Sequence, residues 1–280
     1  MIKRILVPLD TSPYTETALD VSCAIARQHD AQLTGLVILD IPGIEKSVGP
    51  APMGAYHYAE ELEEFKKQKA TERIEELLAK FAEKCQHEGI SHTQAQLQGS
   101  PSERILGESI YYDAVVVGLR TFFDFESSDG PGIPLDELLD HTVTPIYGVP
   151  RSFALPAPGE KLKVLIAFDG SLPAAKALQR FAYLELAEFA EVLLLTSAPH
   201  EDEAQYYLGQ AQTYLNAHGI SDVRQEWTQK GIIQAVEEEY LDWASFFVIG
   251  AHSKKGLLDF FLGSLTRYLI QADSKPVLIG

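Results

Sequence analysis

Short β-forming runs alternate with amphipathic segments along the whole chain, which predicts an alternation of strands and helices. In the first half the predicted strands are Arg4–Leu9, Leu33–Leu39, His92–Leu97, Ala114–Val117 and Thr144–Val149. The helical segments there are Thr15–His29, Tyr58–His87, Ser102–Tyr111 and Leu135–His141. Ile41–Ala55 is rich in proline and glycine and predicts an irregular loop. Most of these strands are almost entirely apolar, which is typical of parallel sheets covered on both faces.

The second half repeats this order of elements. Its predicted strands are Leu162–Phe168, Val192–Thr196, Val223–Thr228, Phe246–Ile249 and Pro276–Ile279. The helices between them are Pro173–Glu188, Glu203–His218, Ile232–Trp243 and Ser264–Ala272. The pattern predicts two α/β domains, residues 1–150 and 161–280, joined by a linker at 151–160. Each is expected to be a five-stranded, mostly parallel sheet with helices on both faces.

A duplicated motif supports the two-domain interpretation. Asp10-Thr11-Ser12 follows the first strand of the first half, and Asp169-Gly170-Ser171 follows the first strand of the second. Each is followed at the same distance by an Ala-Leu pair, Ala18-Leu19 and Ala177-Leu178. The second copy is shorter in the middle, and most of this loss falls in the loop and the long helix of the first copy. The two copies are therefore expected to share a fold and to differ in function.

Composition and charge limit the possible partners and compartments. The chain has 280 residues, 46% of them hydrophobic and 22% charged, with a formal net charge of −17. Such acidity argues against a nucleic-acid or anionic membrane partner, although a small anion can still bind backbone N–H groups at a helix start. No apolar run reaches the roughly 18 residues of a membrane span, and no signal peptide is recognisable, so a cytoplasmic protein is expected. Cys23 and Cys85 lie in helical patterns and predict buried thiols rather than a disulfide framework.

The aspartates that follow the first strand of each copy have two interpretations. Asp10 and Asp169 can each cap the helix that follows them. Each can instead accept a hydrogen bond from a ribose hydroxyl or a base amine, because ligands of open parallel sheets bind at the carboxyl ends of the strands. Their identical positions fit both interpretations.

A group of small residues follows the fourth strand of the second copy. Gly250, Ser253 and Gly263-Ser264 would let backbone N–H groups approach phosphate oxygens at the start of the last helix. His252, Lys254 and Lys255 add cationic character. No Gly-Lys-[Ser/Thr] triplet is present, so this is not a Walker loop. The simpler alternative, a glycine turn before a capped helix, explains each residue separately but not the combination.

These motifs resemble a tandem universal stress protein, with two such domains in one chain. The resemblance rests on the repeated strand-one aspartate, on Gly99-Ser100-Pro101, on Lys275-Pro276-Val277 and on the Gly-x2-Gly-x9-Gly-[Ser/Thr] signature of the ATP-binding branch. In this sequence the signature is Gly250-x2-Ser253-x9-Gly263-Ser264, with serine in place of the middle glycine. The family implies an adenine-nucleotide alpha-hydrolase-like sheet with strand order 3-2-1-4-5.

The resemblance also implies a set of nucleotide-binding residues in the second domain. They are Ala167 and Asp169 beside the adenosine, Thr196 in the base pocket, Ile249 and Gly250 under the ribose and phosphates, and Ser253, Gly263, Ser264 and Leu265 along the phosphate chain. The implied cofactor is an adenine nucleotide (ATP, ADP or AMP), with or without Mg²⁺. No catalytic residue and no protein metal site are predicted.

The first copy predicts a degenerate nucleotide site. Gly118 and Gly132 are present, but Thr121 occupies the place of the middle glycine and Ile133 that of the hydroxyl residue. Three acidic residues that would repel phosphate lie between the glycines: Asp124, Glu126 and Asp129.

The expected function is that of a stress-response sensor or regulator that binds an adenine nucleotide mainly in the second domain, with at most slow ATP hydrolysis. The alternative is a nucleotide-free interaction or scaffold protein built from two degenerate domains. An ATP-using ligase or pyrophosphatase is a third possibility, but the chain lacks a Ser-Gly-Gly-x-Asp-Ser loop. The fifth strands, Thr144–Val149 and Pro276–Ile279, are expected to pair in an intramolecular pseudo-dimer, with a further homodimer as an option.

Overall fold

The computed structural model describes residues 2–50, 54–121, 142–157, 159–186, 189–251 and 263–280. The chain divides into two compact units, whose main segments are Lys3–Thr142 and Val143–Gly280. They are called the N-terminal and C-terminal units below. The predicted helix Leu135–His141 lies outside the described residues. Within the described part of the chain, no helix is long and apolar enough to cross a membrane.

The N-terminal unit contains a parallel sheet with helices in its crossovers. Its strands are β1 (Arg4–Pro8), β2 (Gln32–Leu39), β3 (His92–Gln98) and β4 (Ala114–Gly118). Its helices are α1 (Thr15–His29), α2 (Ile41–Val48), α3 (Tyr56–His87) and α4 (Pro101–Ser109). The strand order is β3-β2-β1-β4, and all three pairings are parallel. The crossover direction therefore reverses between β1 and β4, as predicted.

The C-terminal unit repeats this order and adds a fifth parallel strand. Its strands are β5 (Ile146–Val149), β6 (Leu162–Ala167), β7 (Ala190–Ser197), β8 (Val223–Thr228), β9 (Phe246–Ile249) and β10 (Val277–Ile279). Its helices are α5 (Leu172–Ala182), α6 (Glu201–Ala217), α7 (Ile232–Ala235), which continues as a π-helix over Val236–Tyr240, and α8 (Ser264–Ala272). The parallel order β8-β7-β6-β9-β10 is the predicted 3-2-1-4-5 arrangement.

The predicted pairing between the two fifth strands is present. β5 and β10 are antiparallel, with Tyr147 opposite Leu278 and Ile146 opposite Ile279. Both strands lie in the C-terminal unit, so this unit begins before the boundary at residue 150 that the repeat indicated. Tyr147 is buried, and this burial raises the pKa of its phenol. The pairing satisfies backbone groups of β10 that would otherwise form an open edge.

The predicted loop Ile41–Ala55 contains a helix that the sequence analysis missed. Asp40 precedes α2, and its carboxylate accepts a hydrogen bond from the backbone N–H of Gly43 at 2.9 Å. Pro42 lies in the first turn, where its missing N–H costs nothing, and Ile44 is buried. Capping and one buried side chain therefore outweigh the local preference of proline and glycine for a loop.

Two further helices differ from their predicted form. Helix α5 ends at Ala182 rather than near residue 188, and Glu185 after it has a left-handed backbone with φ of 55°. The segment after Ala235 changes from α-helical to π-helical hydrogen bonding.

Helix α3 is attached to the N-terminal unit mainly through its second half. Its buried residues are Ala70, Ile74, Phe81 and Cys85. Phe81 is fully buried and lies against Gly35 of β2, where an added Cβ would come within 2.8 Å of the ring. The other face is charged and exposed, as its sequence pattern predicted. Phe81 is therefore the main apolar contact between this long helix and the sheet.

Helices α1 and α3 also meet through the two cysteines. Cys23 and Cys85 are buried, free thiols, and a hydrogen bond between them lowers the pKa of Cys23. Ion pairs lie on both sides of the thiols, Lys84 with Asp20 at 2.7 Å and Arg27 with Glu88 at 2.7 Å. The thiols are thus adjacent, which their positions in sequence did not predict.

We expect Phe81→Ala to lower the free energy of unfolding by about 3–5 kcal/mol, because it leaves a cavity between α3 and β2. Phe65→Ala is the matched control on the same helix, since the Phe65 side chain is 61% exposed and its loss should cost less than about 0.5 kcal/mol. Urea unfolding followed by circular dichroism measures both. Equal effects of the two substitutions would contradict the assigned role of Phe81.

Candidate functional site

The strands of the C-terminal unit end at a cavity of about 420 Å³. It lies at the carboxyl ends of β6, β7 and β9, where the crossover direction of the sheet reverses. Eight of the nine predicted residues line it: Ala167, Asp169, Thr196, Ile249, Gly250, Gly263, Ser264 and Leu265. Ser253 lies outside the described residues. The fold therefore brings every described member of the predicted set to one place.

Asp169 both organises the turn after β6 and borders the cavity. Its Oδ1 accepts a hydrogen bond from the N–H of Ser171 at 2.9 Å, and the Ser171 hydroxyl caps α5 by accepting from Ala174 N at 3.3 Å. Among the described residues only Ser171 hydrogen-bonds this carboxylate. The second oxygen, Oδ2, can therefore accept a hydrogen bond from a ligand.

Asp10, at the same position in the N-terminal unit, is tied into its own turn. Its Oδ1 accepts hydrogen bonds from Ser12 N at 3.1 Å, Ser12 Oγ at 2.6 Å and Thr15 Oγ1 at 2.7 Å. The residue is only 2% exposed. The second copy has Ala174 in the place of Thr15 and so lacks this hydroxyl. Asp10 does not cap α1, whose N-cap residue is Tyr14 and which has no side-chain cap hydrogen bond. Its carboxylate instead holds the turn before the helix, whereas Asp169 is left partly accessible.

Thr196 lines the cavity but uses its hydroxyl within the protein. Its Oγ1 donates a hydrogen bond to the carbonyl oxygen of Phe168 at 2.7 Å, and Phe168 N donates to Leu195 O at 3.0 Å. These bonds extend the pairing of β6 and β7 to the edge of the cavity. The corresponding residue of β2 is Val37, which has no hydroxyl. Thr196 thus positions the backbone that carries Asp169.

Gly250 has a packing role in addition to its place in the signature. A Cβ at this position would lie 2.6 Å from the backbone nitrogen of Ala174 and 2.7 Å from the carbonyl carbon of Pro173. The start of α5 therefore approaches the end of β9 so closely that only glycine fits. At Gly118 in the N-terminal unit an added Cβ would instead overlap the side chain of Tyr14. Close packing alone accounts for both glycines, which the sequence analysis connected with phosphate.

The first turn of α8 is anchored to the end of β9. Gly263 N donates to Ala251 O at 2.8 Å, and Thr266 Oγ1 donates to Gly250 O at 3.1 Å. The N–H groups of the first helical residues have no acceptor within the helix, and they carry its partial positive charge. Ser264, Leu265 and Thr266 all line the cavity. This helix start can therefore hold an anionic group there.

Helix α6 contributes two lining residues that the sequence analysis missed. Tyr207 lies against Gly170, where an added Cβ would overlap its ring, and its hydroxyl donates to Glu203 Oε1 at 3.2 Å. Both residues border the cavity. Neither belongs to a recognisable motif. The only available signal was that α6 follows directly after β7, whose end borders the predicted site.

The described lining is acidic and otherwise uncharged. Asp169 and Glu203 are its charged side chains, and it contains no lysine, arginine or histidine. The walls include Ile232, Ile233 and Ile249. Within the described ranges, no group of three His, Cys, Asp or Glu side chains is placed to hold a metal ion. Within this described lining, an anion can therefore bind to N–H and hydroxyl groups but to no cationic side chain.

A 3-2-1-4-5 parallel sheet with helices in its crossovers defines the class of the protein. It is an α/β protein with the adenine-nucleotide alpha-hydrolase-like fold of universal stress proteins. Residues 1–121 match the model of the Universal stress protein family. This match lies in the N-terminal unit, and a 280-residue chain with this fold fits a tandem arrangement of two such domains. No curated protein matches the chain.

Three solved structures illustrate the likeness. A universal stress protein from Archaeoglobus fulgidus DSM 4304 is 18% identical, with a TM-score of 0.70, and the match covers 99% of this chain and 97% of that one. The cytoplasmic domain of a prokaryotic cation chloride cotransporter is 14% identical, with a TM-score of 0.54 and coverage of 100% and 95%. A universal stress protein in complex with cAMP is 16% identical, with a TM-score of 0.37 and coverage of 54% and 98%. At these identities the likeness shows the fold alone.

We expect Gly250→Ala to destabilise the protein by about 1–3 kcal/mol, because its Cβ collides with the backbone of α5. Gly209→Ala in α6 is the control, since a Cβ there meets no atom within 4 Å and should stabilise the helix by about 0.5–1 kcal/mol. Thermal and urea unfolding measure both changes. A Gly250→Ala protein as stable as wild type would contradict the packing role.

Proposed function

We propose that the C-terminal unit binds an adenine nucleotide in this cavity and that the chain acts as a stress-response sensor or regulator. The observation that carries the proposal is the convergence of eight predicted residues on one cavity at the switch point of the sheet. The universal stress protein domain at residues 1–121 supports the stress-response role. The volume of about 420 Å³ lies in the range of small-molecule sites.

In the proposed complex Asp169 accepts a hydrogen bond from a ribose hydroxyl through Oδ2. The base lies against the apolar wall that includes Ile232 and Ile249, beside Thr196. The phosphate lies at the start of α8, where Gly263 begins the helix. Mg²⁺ can accompany a di- or triphosphate but has no proposed protein ligand. We assign no catalytic residue, so any hydrolysis of ATP would be slow.

The N-terminal unit is proposed to have a structural role. Asp10 is only 2% exposed, and its Oδ1 is hydrogen-bonded to Ser12 and Thr15 of its own turn. The β5–β10 pairing is proposed to be part of an intramolecular pseudo-dimer of the two domains, with a further homodimer as an option. The protein is proposed to act in the cytoplasm.

The second candidate is a nucleotide-free interaction protein. The observation that favours it is the pair of carboxylates, Asp169 and Glu203, in a described lining without cationic side chains. Calorimetry with nucleotides distinguishes this candidate from the first.

We expect titration calorimetry with ATP, ADP and AMP to give a saturable signal with wild type, and Asp169→Asn to weaken binding by about tenfold. The amide keeps an oxygen for Ser171 N but loses the charge that strengthens a hydrogen bond to the ribose. Gly263→Val, which crowds the start of α8, should also weaken the binding of nucleotides, whereas the binding of adenosine should change less.

The control for charge is Asp222→Asn, because the Asp222 side chain pairs with Lys161 and does not line the cavity. It should bind nucleotides like wild type. Absence of heat with every nucleotide would remove the proposed function and leave the interaction protein. Binding that survives both Asp169→Asn and Gly263→Val unchanged would place the nucleotide elsewhere.

A further inference from the structure

Cys23 of α1 and Cys85 of α3 are adjacent buried thiols that the proposed nucleotide site does not use. We propose that they form a peroxide-sensitive pair, which hydrogen peroxide converts to a disulfide within the chain. Both cysteines lie in the N-terminal unit, and neither lines the cavity of the C-terminal unit. The proposal therefore adds a site of covalent modification that does not depend on nucleotide binding.

Two ion pairs hold the facing sides of α1 and α3 together on either side of the thiols. Lys84 Nζ lies 2.7 Å from Asp20 Oδ1, and Arg27 Nη1 lies 2.7 Å from Glu88 Oε2. Asp20 is about one helical turn before Cys23, and Arg27 is about one turn after it. The ion pairs therefore bracket the cysteines and show, independently of the thiols, that the two helices face each other at this level.

The two thiols differ in acidity, which assigns the order of the reaction. The Cys85 thiol donates a hydrogen bond to Cys23 and so lowers its pKa. Lys84 and Arg27 also lower this pKa, against burial and the carboxylate of Glu88. The same hydrogen bond and burial raise the pKa of Cys85. Because the thiolate is the nucleophile, Cys23 attacks the oxidant and Cys85 resolves the product.

The reaction balances with a peroxide as the two-electron oxidant. The thiolate of Cys23 attacks one peroxide oxygen, the O–O bond breaks, and a sulfenic acid forms while the other oxygen takes a proton and leaves as water. The sulfur of Cys85 then attacks the sulfenic sulfur, the S–O bond breaks, and the thiol proton leaves with the oxygen as a second water. One hydrogen peroxide and two thiols thus give one disulfide and two waters.

The thiols are buried, but their neighbours are exposed. Cys23 is 1% exposed and Cys85 is 0% exposed. The adjoining ion pairs include the side chains of Arg27, which is 54% exposed, and of Asp20, which is 45% exposed. Exposed ion pairs contribute little to stability, so opening at this place costs less than opening of the apolar core. Burial is therefore expected to slow the reaction with a small oxidant without preventing it.

The disulfide would join α1 to the half of α3 that packs on the sheet. Phe81, about one turn before Cys85, is fully buried against Gly35 of β2. The bond would also close a loop of roughly 60 residues and so disfavour the unfolded chain. Oxidation should therefore stabilise the N-terminal unit. In the cytoplasm proposed for this chain the bond would be transient, as cytosolic redox-sensing disulfides are.

The test treats the full chain with hydrogen peroxide and maps its peptides by mass spectrometry without reduction. We expect one linked species that joins the Cys23 and Cys85 peptides, is lighter by two hydrogen atoms and is reversed by dithiothreitol. Oxidation should raise the thermal unfolding midpoint by about 5 °C. The same treatment should leave the midpoint of the Cys23→Ser variant unchanged, which makes this variant the control.

A matched pair of serine variants tests the order of the reaction. Serine keeps a hydrogen-bonding group of similar size at either position. In Cys85→Ser the sulfenic acid of Cys23 has no thiol to resolve it, so dimedone should trap it. In Cys23→Ser the remaining thiol should be labelled at least about tenfold more slowly. The wild-type measurement stands even where a serine variant does not fold.

Three results would overturn the proposal or its parts. Native protein that stays reduced under conditions that oxidise the urea-unfolded chain would show that peroxide does not reach the thiols. A disulfide between two chains, or an oxidised protein that unfolds more easily than the reduced one, would contradict a pair already placed to react. Equal dimedone labelling of the two serine variants would overturn the assignment of Cys23 as the attacking thiol.

Discussion

The close approach of α5 to the end of β9 determines the geometry of the candidate site. The backbone of Pro173 and Ala174 comes so near Gly250 that a single Cβ cannot fit between them. This contact holds the capped turn of Ser171, and with it Asp169, beside the end of the fourth strand of the parallel order. The carbonyl of Gly250 in turn accepts the hydroxyl of Thr266 and anchors α8. One backbone contact therefore sets the distance between the groups proposed for the ribose and the phosphate.

The N-terminal unit has a close approach at the same place, but there the glycine meets a side chain instead of the helix backbone. Tyr14 replaces Pro173 against Gly118, and Thr15 replaces Ala174. The Thr15 hydroxyl donates to Asp10 Oδ1, whereas the alanine at the same place has no hydroxyl, and among the described residues Asp169 is bound by Ser171 N. A close approach of the helix start to the glycine after the fourth strand is thus common to both copies. The aspartate is buried in the copy that has the Thr15 hydroxyl and partly accessible in the copy that has alanine.

The strand order and the set of site residues were implied by the resemblance to the universal stress protein family. Periodicity predicted most element bounds, because these follow from local apolar patterns. It missed α2, since Pro42 and Gly43 indicate a loop unless the capping by Asp40 is known. It also missed Tyr207, whose position depends on how α6 packs over the Gly170 turn. The sequence identified Gly250 as a site residue but did not predict its packing role, because a glycine needed for packing and a glycine needed for phosphate binding look alike in sequence.

The acidity of the chain limits how the candidate site can bind an anion. A protein with a formal net charge of −17 attracts anionic ligands poorly at long range. In the described lining the groups proposed to attract a phosphate are the backbone N–H groups at the start of α8, and the carboxylates of Asp169 and Glu203 oppose this attraction. Backbone dipoles act over a short distance and are fixed in direction, so they favour one correctly placed phosphate over diffuse negative charge.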